Sequence, residues 1–165
     1  MKQKAVFLDR DGVINDDMGH YYIFEPEDFK LNNGVIDGLK LLSDSNYLLI
    51  VVSNQGGVAK GFYTEDDISR VHEKLIEEFK KHSLEIDAIY YCPHHDSVSD
   101  CDCRKPKPGM ILNAIEEFDI NPLESYLIGD SQRDITAGEK AGLKECFLIK
   151  KNSSIIPICK AIINI

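Results

Sequence analysis

The sequence has no apolar run long enough to cross a bilayer, which takes about 20 predominantly apolar residues. It has no leader pattern: the chain passes almost at once into Ala5-Val6-Phe7-Leu8, so no secretion signal is expected. It lacks an excess of positive charge. The formal net charge is -9 at pH 7, which argues against a general nucleic-acid surface. An anionic ligand must then be held by local cations against an acidic background. The chain also lacks an even set of cysteines, and its five cannot all pair within one molecule. Cys92, Cys101 and Cys103 cluster, while Cys146 and Cys159 stand apart, with Cys146 read as an inert core residue. That usage suits a reducing, cytoplasmic protein with one metal cluster. There is no internal repeat and no low-complexity linker. Between Asp9 and the first helix there is too little chain for a folded cap. With 165 residues, one domain over 1–165 with a real core is expected, as a monomer with no membrane or nucleic-acid partner.

What is present alternates between strand and helix patterns. Strands are expected at Lys4–Leu8, Tyr47–Val52, Ile86–Tyr91, Tyr126–Ile128 and Cys146–Ile149. Tyr47–Val52 is continuously apolar and suits a strand buried on both faces. Helices are expected at Gly34–Ser45, Thr64–Lys81, Pro108–Phe118 and Gln132–Ala141, the last closed by Gly142. Thr64, followed by Glu65 and Asp66, reads as an N-cap. The alternation implies an α/β fold, a parallel sheet with helices on both faces. The isoleucine-rich segment from Lys150 is expected to be a docked helix or strap, because Pro157 and Lys160 interrupt it.

Ligands of open parallel sheets gather at the carboxyl ends of the strands. Five informative segments fall there. Asp9-Arg10-Asp11-Gly12 follows the first strand, and its two aspartates share a side by their i, i+2 spacing. Paired buried carboxylates need a cation or a chemical task. Asp9 suits attack on phosphorus and Asp11 suits acid/base work, the bland alternative being an acidic turn. Ser53-Asn54-Gln55-Gly56-Gly57 offers a hydroxyl and backbone N–H groups as an anion cradle, or is simply a polar loop. Arg104, Lys105 and Lys107 lie within Cys103–Gly109 and suit phosphate, the alternative being a solvated basic stretch. In Gly129-Asp130-Ser131-Gln132-Arg133-Asp134, Asp130 suits magnesium, and Asp134 suits holding Asp130 or Lys105. Asp130 or Ser131 would equally serve as a helix N-cap. Finally, Cys92-Pro93-His94-His95 with Cys101-Asp102-Cys103 matches a closed Cys₃His zinc site, with another metal or free thiols as alternatives. The spacing leaves His95 open as a rival to His94. His72 and His82 read as solvent-facing, and His20 stands where substrate would pass.

These segments, taken in order as FLDRDGVIN (7–15), SNQGGVAKGFYT (53–64), YYCPHH (90–95), CDCRKPKPGM (101–110) and LIGDSQRDITAG (127–138), resemble the haloacid-dehalogenase-like phosphatases. The resemblance covers roughly Ala5 to Ile149. It implies a Rossmann-like, capless fold with an inserted zinc loop at about 92–103. It also implies magnesium dependence and an aspartyl-phosphate intermediate. By resemblance, Asp9 is the nucleophile and Asp11 the acid/base. Asp9, Asp11 (by its backbone carbonyl) and Asp130 bind Mg²⁺, while Cys92, His94, Cys101 and Cys103 bind Zn²⁺. Ser53 and Lys105 stabilise the transferring phosphoryl group, and Arg104 recognises the sugar or a second phosphate. Asp17, Met18, Gly19 and His20, with Ser53, Asn54, Gln55 and Gly56, line a small-molecule sugar-phosphate site. The GGVAKGFYT loop and the KPGM ending favour a sugar-bisphosphate phosphatase. The short zinc loop keeps histidinol-phosphate phosphatase as the alternative, and a non-catalytic zinc-held binding module as a remote one. Ser131 stands where the family often carries lysine.

Overall fold

A computed structural model describes residues 2–164. The main sheet is built from β1 (Lys4–Leu8), β4 (Tyr47–Asn54), β5 (Ala88–Cys92), β6 (Tyr126–Gly129) and β7 (Glu145–Leu148). All four pairings are parallel, in the order β5-β4-β1-β6-β7. Two short strands, β2 (Asn15–Asp16) and β3 (Lys30–Leu31), pair antiparallel beside it. Their two-residue lengths leave no periodic signal, so the pattern reading passes over them.

Period two along the strands divides the core into two. Val6 and Leu8 of β1, Leu49 and Val51 of β4, and Ile128 of β6 face one side. There they meet α1 (Val35–Asp44), α2 (Glu65–Lys80) and α5 (Ile156–Ile163). Ala5, Phe7, Ile50, Val52 and Leu127 face the other, against α3 (Gly109–Glu117) and α4 (Gln132–Lys140). Each fully buried Val, Leu, Ile or Phe adds about 1.5–3 kcal/mol of transfer free energy. The helices with long periodic faces, α1 and α2, start and stop within a residue or so of the sequence expectation. Thr64 caps α2 in a reciprocal box with Asp67 at its third position. The tail from Lys150 ends in the docked helix α5, with Ile155, Cys159 and Ile162 buried. No described helix is long and apolar enough to cross a membrane.

An expectation about α2 fails. His72 is 8% exposed, not solvent-facing. It lies on the inner side of α2 with Val71 and Leu75, and its ring packs edge-on against Tyr91 at 5.6 Å. Its imidazole replaces an apolar side chain because it meets a buried arginine below the site.

Candidate active site

The strand ends bring the five segments together. A cleft of about 150 Å³, open to solvent, is lined by Asp9, Asp11, Asp17, His20, Asn54, Gly56, Arg104, Lys105 and Asp130, among others. Of the positions expected to face substrate, Met18, Gly19, Ser53 and Gln55 are not on this wall. Ser53 and Gln55 are buried just beneath it, at 1% and 2% exposed. Met18 and Gly19 turn outward with positive φ. Tyr21, Tyr22, His95, Arg133 and Lys151 join the wall instead. Sequence spacing gives no signal for Lys151, which arrives after the last strand.

Asp9 follows β1. Its Oδ1 accepts from the Arg10 backbone N–H at 2.9 Å and from Lys105 Nζ at 2.9 Å. Lys105 Nζ also donates to Val52 O at 2.7 Å and Asp134 Oδ1 at 2.6 Å, so all three of its protons are engaged. Burial by itself would lower its pKa, but the adjoining carboxylates of Asp9 and Asp134 outweigh that and hold it above the usual lysine range. Asn54 fixes the Lys105 backbone from both sides, donating to Lys105 O and accepting from Lys105 N at 3.0 Å each. Asp134 has a double task. It pairs with Lys105 and also completes a capping box with Ser131, its Oδ2 accepting from Ser131 N and Oγ. Of the two N-cap candidates the structure uses Ser131, and of the two partners expected for Asp134 it makes the ion pair with Lys105.

Carboxylate oxygens of Asp9, Asp130 and Asp134 lie within 4.8 Å of one another. With all three ionised, the carboxylates set against the Lys105 ammonium would carry a formal excess of two negative charges. Burial, then Asp134 and Asp130, push Asp9 up to about 8, with Lys105 opposing. Such a group of hard oxygen donors with two charges in excess fits a divalent, oxygen-seeking cation such as magnesium. Gly12 (φ 85°) permits this crowding, since a Cβ there would lie 2.1 Å from Asp130 Oδ2.

The Asp11 side chain does not join that group. Arg10, wholly buried, donates from Nε and Nη2 to Asp11 Oδ1 at 3.2 and 3.1 Å, and from Nη2 to Oδ2 at 3.0 Å. Asn15 Nδ2 adds a bond to Oδ1 at 3.0 Å. Behind Arg10 stands His72, its Nε2 3.4 Å from Nη1. Burial and the guanidinium push His72 down to about 3, so it is neutral and accepts from the arginine. Contact between Asp11 and a metal is left to its backbone, as the resemblance implies.

A second ligand set lies at the edge. Cys92 ends β5, and Cys92 Sγ, His94 Nδ1, Cys101 Sγ and Cys103 Sγ all lie within 4.8 Å of one another. Most nearest separations are 3.3–3.6 Å, the edges expected of a tetrahedron with bonds of about 2.0–2.3 Å. His95 Nδ1 turns away to Ser97 Oγ at 2.8 Å. The loop between has little core of its own, and Val98 is 58% exposed. It carries Arg104 to the cleft rim, with Nη1 donating to His94 O at 3.1 Å. Arg104 is 7% exposed, and its Nε is buried without a hydrogen bond, facing the exposed Asp96 carboxylate at 3.5 Å.

A capless parallel sheet with this acidic site defines a class before any relative is considered, and a family model described as HAD-hydrolase-like matches residues 102–153. The chain belongs to the haloacid-dehalogenase-like phosphatases. Its relatives are more particular. It is 42% identical over 158 residues, 93% of this chain and 85% of the relative, to D-glycero-beta-D-manno-heptose-1,7-bisphosphate 7-phosphatase of Pasteurella multocida (strain Pm70). It is 42% identical over 151 residues, 92% and 85%, to the D-glycero-alpha-D-manno form of that enzyme from Campylobacter jejuni subsp. jejuni. The crystal structure of D,D-heptose 1,7-bisphosphate phosphatase from B. bronchiseptica, complexed with magnesium and phosphate, matches with a TM-score of 0.83. It does so at 28% identity, over 96% of this chain and 86% of that one.

Proposed function

We propose that this chain is a magnesium-dependent phosphatase that removes the 7-phosphate of D-glycero-D-manno-heptose 1,7-bisphosphate through an ester on Asp9. The observation that carries this reading is a pair of phosphate-sized demands in one cleft. Asp9 and Lys105 face one another at the floor, and the Arg104 guanidinium stands on the cleft wall with only a long ion pair to the exposed Asp96, 3.5 Å from its Nε. A substrate with two phosphates answers both, and the relatives carry that substrate in their names. They do not favour histidinol phosphate. Both anomers occur among relatives of equal identity, so the reading extends to the heptose bisphosphate and not to one anomer.

In this mechanism Asp9 attacks phosphorus at the 7-phosphate. The C7–O oxygen leaves with a proton from Asp11, and the phosphoryl group stays on the Asp9 carboxylate. Asp11, now ionised, takes a proton from water. That water attacks phosphorus and returns Asp9 with release of phosphate. Ser53 and Lys105 offset the phosphoryl charge. With its protons engaged, Lys105 acts as a fixed point charge at the nucleophile. Asp9, Asp130 and the Asp11 backbone carbonyl would hold Mg²⁺, whose bound charge neutralises the phosphoryl oxygens. Asp134 anchors Lys105. Cys92, His94, Cys101 and Cys103 would hold a structural Zn²⁺ that sets Arg104 and Lys105. The chain works as a monomer on a soluble sugar phosphate in the cytoplasm.

The test is a substrate panel with and without magnesium: both heptose bisphosphate anomers, histidinol phosphate and 4-nitrophenyl phosphate. A bisphosphate is expected to have the highest kcat/KM. Arg104→Ala is expected to cut the preference for bisphosphate over the aryl monophosphate by about tenfold or more, because a paired charge-assisted contact contributes only to the longer substrate. Highest activity on histidinol phosphate, or an unchanged ratio in Arg104→Ala, would overturn the assignment.

A further inference from the structure

Gln55 faces inward, not toward substrate. Its side-chain amide spans three groups. The Tyr63 hydroxyl donates to Gln55 Oε1 at 2.8 Å. Gln55 Nε2 donates to Asp11 Oδ2 at 3.1 Å and to Ser53 Oγ at 2.8 Å. The orientation follows from donor and acceptor chemistry. A flipped amide would set its oxygen against the Asp11 carboxylate, with only the Ser53 hydroxyl able to donate to it, and its NH₂ against the phenol. Tyr63 is 5% exposed, and burial holds its phenol well above the usual range, so it remains a donor.

Two consequences reach the reacting groups. Ser53 Oγ already accepts from Gln55, which leaves the Ser53 O–H to donate elsewhere, into the phosphoryl site. The three side chains that donate to Asp11 are Arg10, Asn15 and Gln55. Only Gln55 comes from outside the Asp11 turn, so it sets where the carboxyl stands relative to Ser53. The Tyr63 ring is itself tightly seated. It stacks on Phe24 at 5.1 Å and 7°, and meets Tyr22 of the cleft wall at 5.3 Å. Gly57 makes room for it, since a Cβ there would lie 2.1 Å from Tyr63 Cε1.

We infer that Tyr63 and Gln55 are positioning residues for phosphoryl transfer: Tyr63 locks the Gln55 amide, and Gln55 aims both Asp11 and Ser53. The inference rests on the reading of Asp11 as the acid/base. Its signature is dependence on the leaving group. A nitrophenolate leaves without a proton, whereas a sugar alkoxide needs one. A merely structural loss lowers both substrates alike.

The experiment compares kcat/KM for the heptose bisphosphate and for 4-nitrophenyl phosphate in wild type, Tyr63→Phe, Gln55→Glu and Asp11→Asn, each with its Tm. Tyr63→Phe keeps the ring and removes one hydroxyl. It is expected to lower the alkyl substrate about tenfold and the aryl substrate several-fold less. Gln55→Glu keeps the Tyr63 bond and replaces the donor to Asp11 by an oxygen. It is expected to move the same ratio further. Asp11→Asn is expected to move it most. If Asp11→Asn shifts the ratio and neither other variant does, the positioning inference fails and the role of Asp11 stands. If no variant shifts the ratio, the role of Asp11 fails and the inference fails with it.

Discussion

Charge balance decides most of the chemistry at the scale of single residues. Asp9, Asp130 and Asp134 crowd around one lysine, while Asp11, two positions from Asp9, is matched separately by Arg10. Neighbouring aspartates in one motif therefore do different things, because one faces like charges and the other faces a guanidinium. Asp9→Asn tests the crowded set. The amide can still accept from Arg10 N and Lys105, so the fold is expected to survive. Turnover is expected to fall by about three orders of magnitude or more. Above about pH 8, where Asp9 is ionised, removing its buried charge should also raise the metal-free Tm, by about 2–4 °C for each kcal/mol relieved. Magnesium, which should raise the wild-type Tm, should raise that of Asp9→Asn much less. Wild-type turnover or an undiminished magnesium effect in the variant would rule out Asp9 as nucleophile and ligand.

Loops after the strands carry the site at the scale of elements, and each is held differently. The loop after β1 is tied by buried Arg10 and Gly12. The loop after β4 is tied by the Gln55–Tyr63 bond. The segment after β5 buries little apolar surface and has only its sulfurs, His94 and a few polar contacts to hold it. A metal bound there would be the main constraint on that segment. Protein purified without added metal is expected to contain about one zinc per chain, as a closed four-ligand site requires. Cys103→Ser should lower both the zinc content and the Tm. It should cost activity through Arg104 and Lys105, the next two residues. A metal-free protein with full stability and activity would show that the thiols are not a metal site.

The last segment of the chain closes on the first at the scale of the whole molecule. Asn152 N donates to Gly12 O at 2.8 Å, and Asn152 Nδ2 donates to Asp17 Oδ1 at 2.9 Å. Asp17 N returns a bond to Asn152 Oδ1 at 3.3 Å, and Lys151 pairs with the same aspartate. Docking of α5 on α1 fixes this strap, so the tail takes part in shaping the cleft. Asn152 has φ 59°, where glycine is at ease, so Asn152→Gly removes the side-chain bonds without adding strain. KM for the heptose bisphosphate is expected to rise several-fold with kcat within about twofold, the pattern of lost binding shared by ground and transition states. Steady-state kinetics on the two proteins would show it. Unchanged KM would mean that the 17–22 loop stands without the strap.

Read from the chain alone, the parallel α/β sheet, the burial of Tyr47–Val52 on both faces and the strand ends that carry the acidic, basic and thiol segments were all available. These are local properties, written as periodicity two or 3.6 and as residue types at fixed short spacing. Asp134 was legible as a partner of Asp130 or Lys105, and the structure made the ion pair with Lys105. Only the tertiary structure decided which polar groups meet across distance. His72 joins Arg10 over 62 positions, Gln55 joins Asp11 over 44, and Asn152 joins Asp17 over 135. It also turned Gln55 away from substrate, pointed His94 and not His95 at the sulfurs, and brought Lys151 to the cleft. The physical reason is that a buried hydrogen bond depends on where two backbones lie in space, and no spacing along the chain records that.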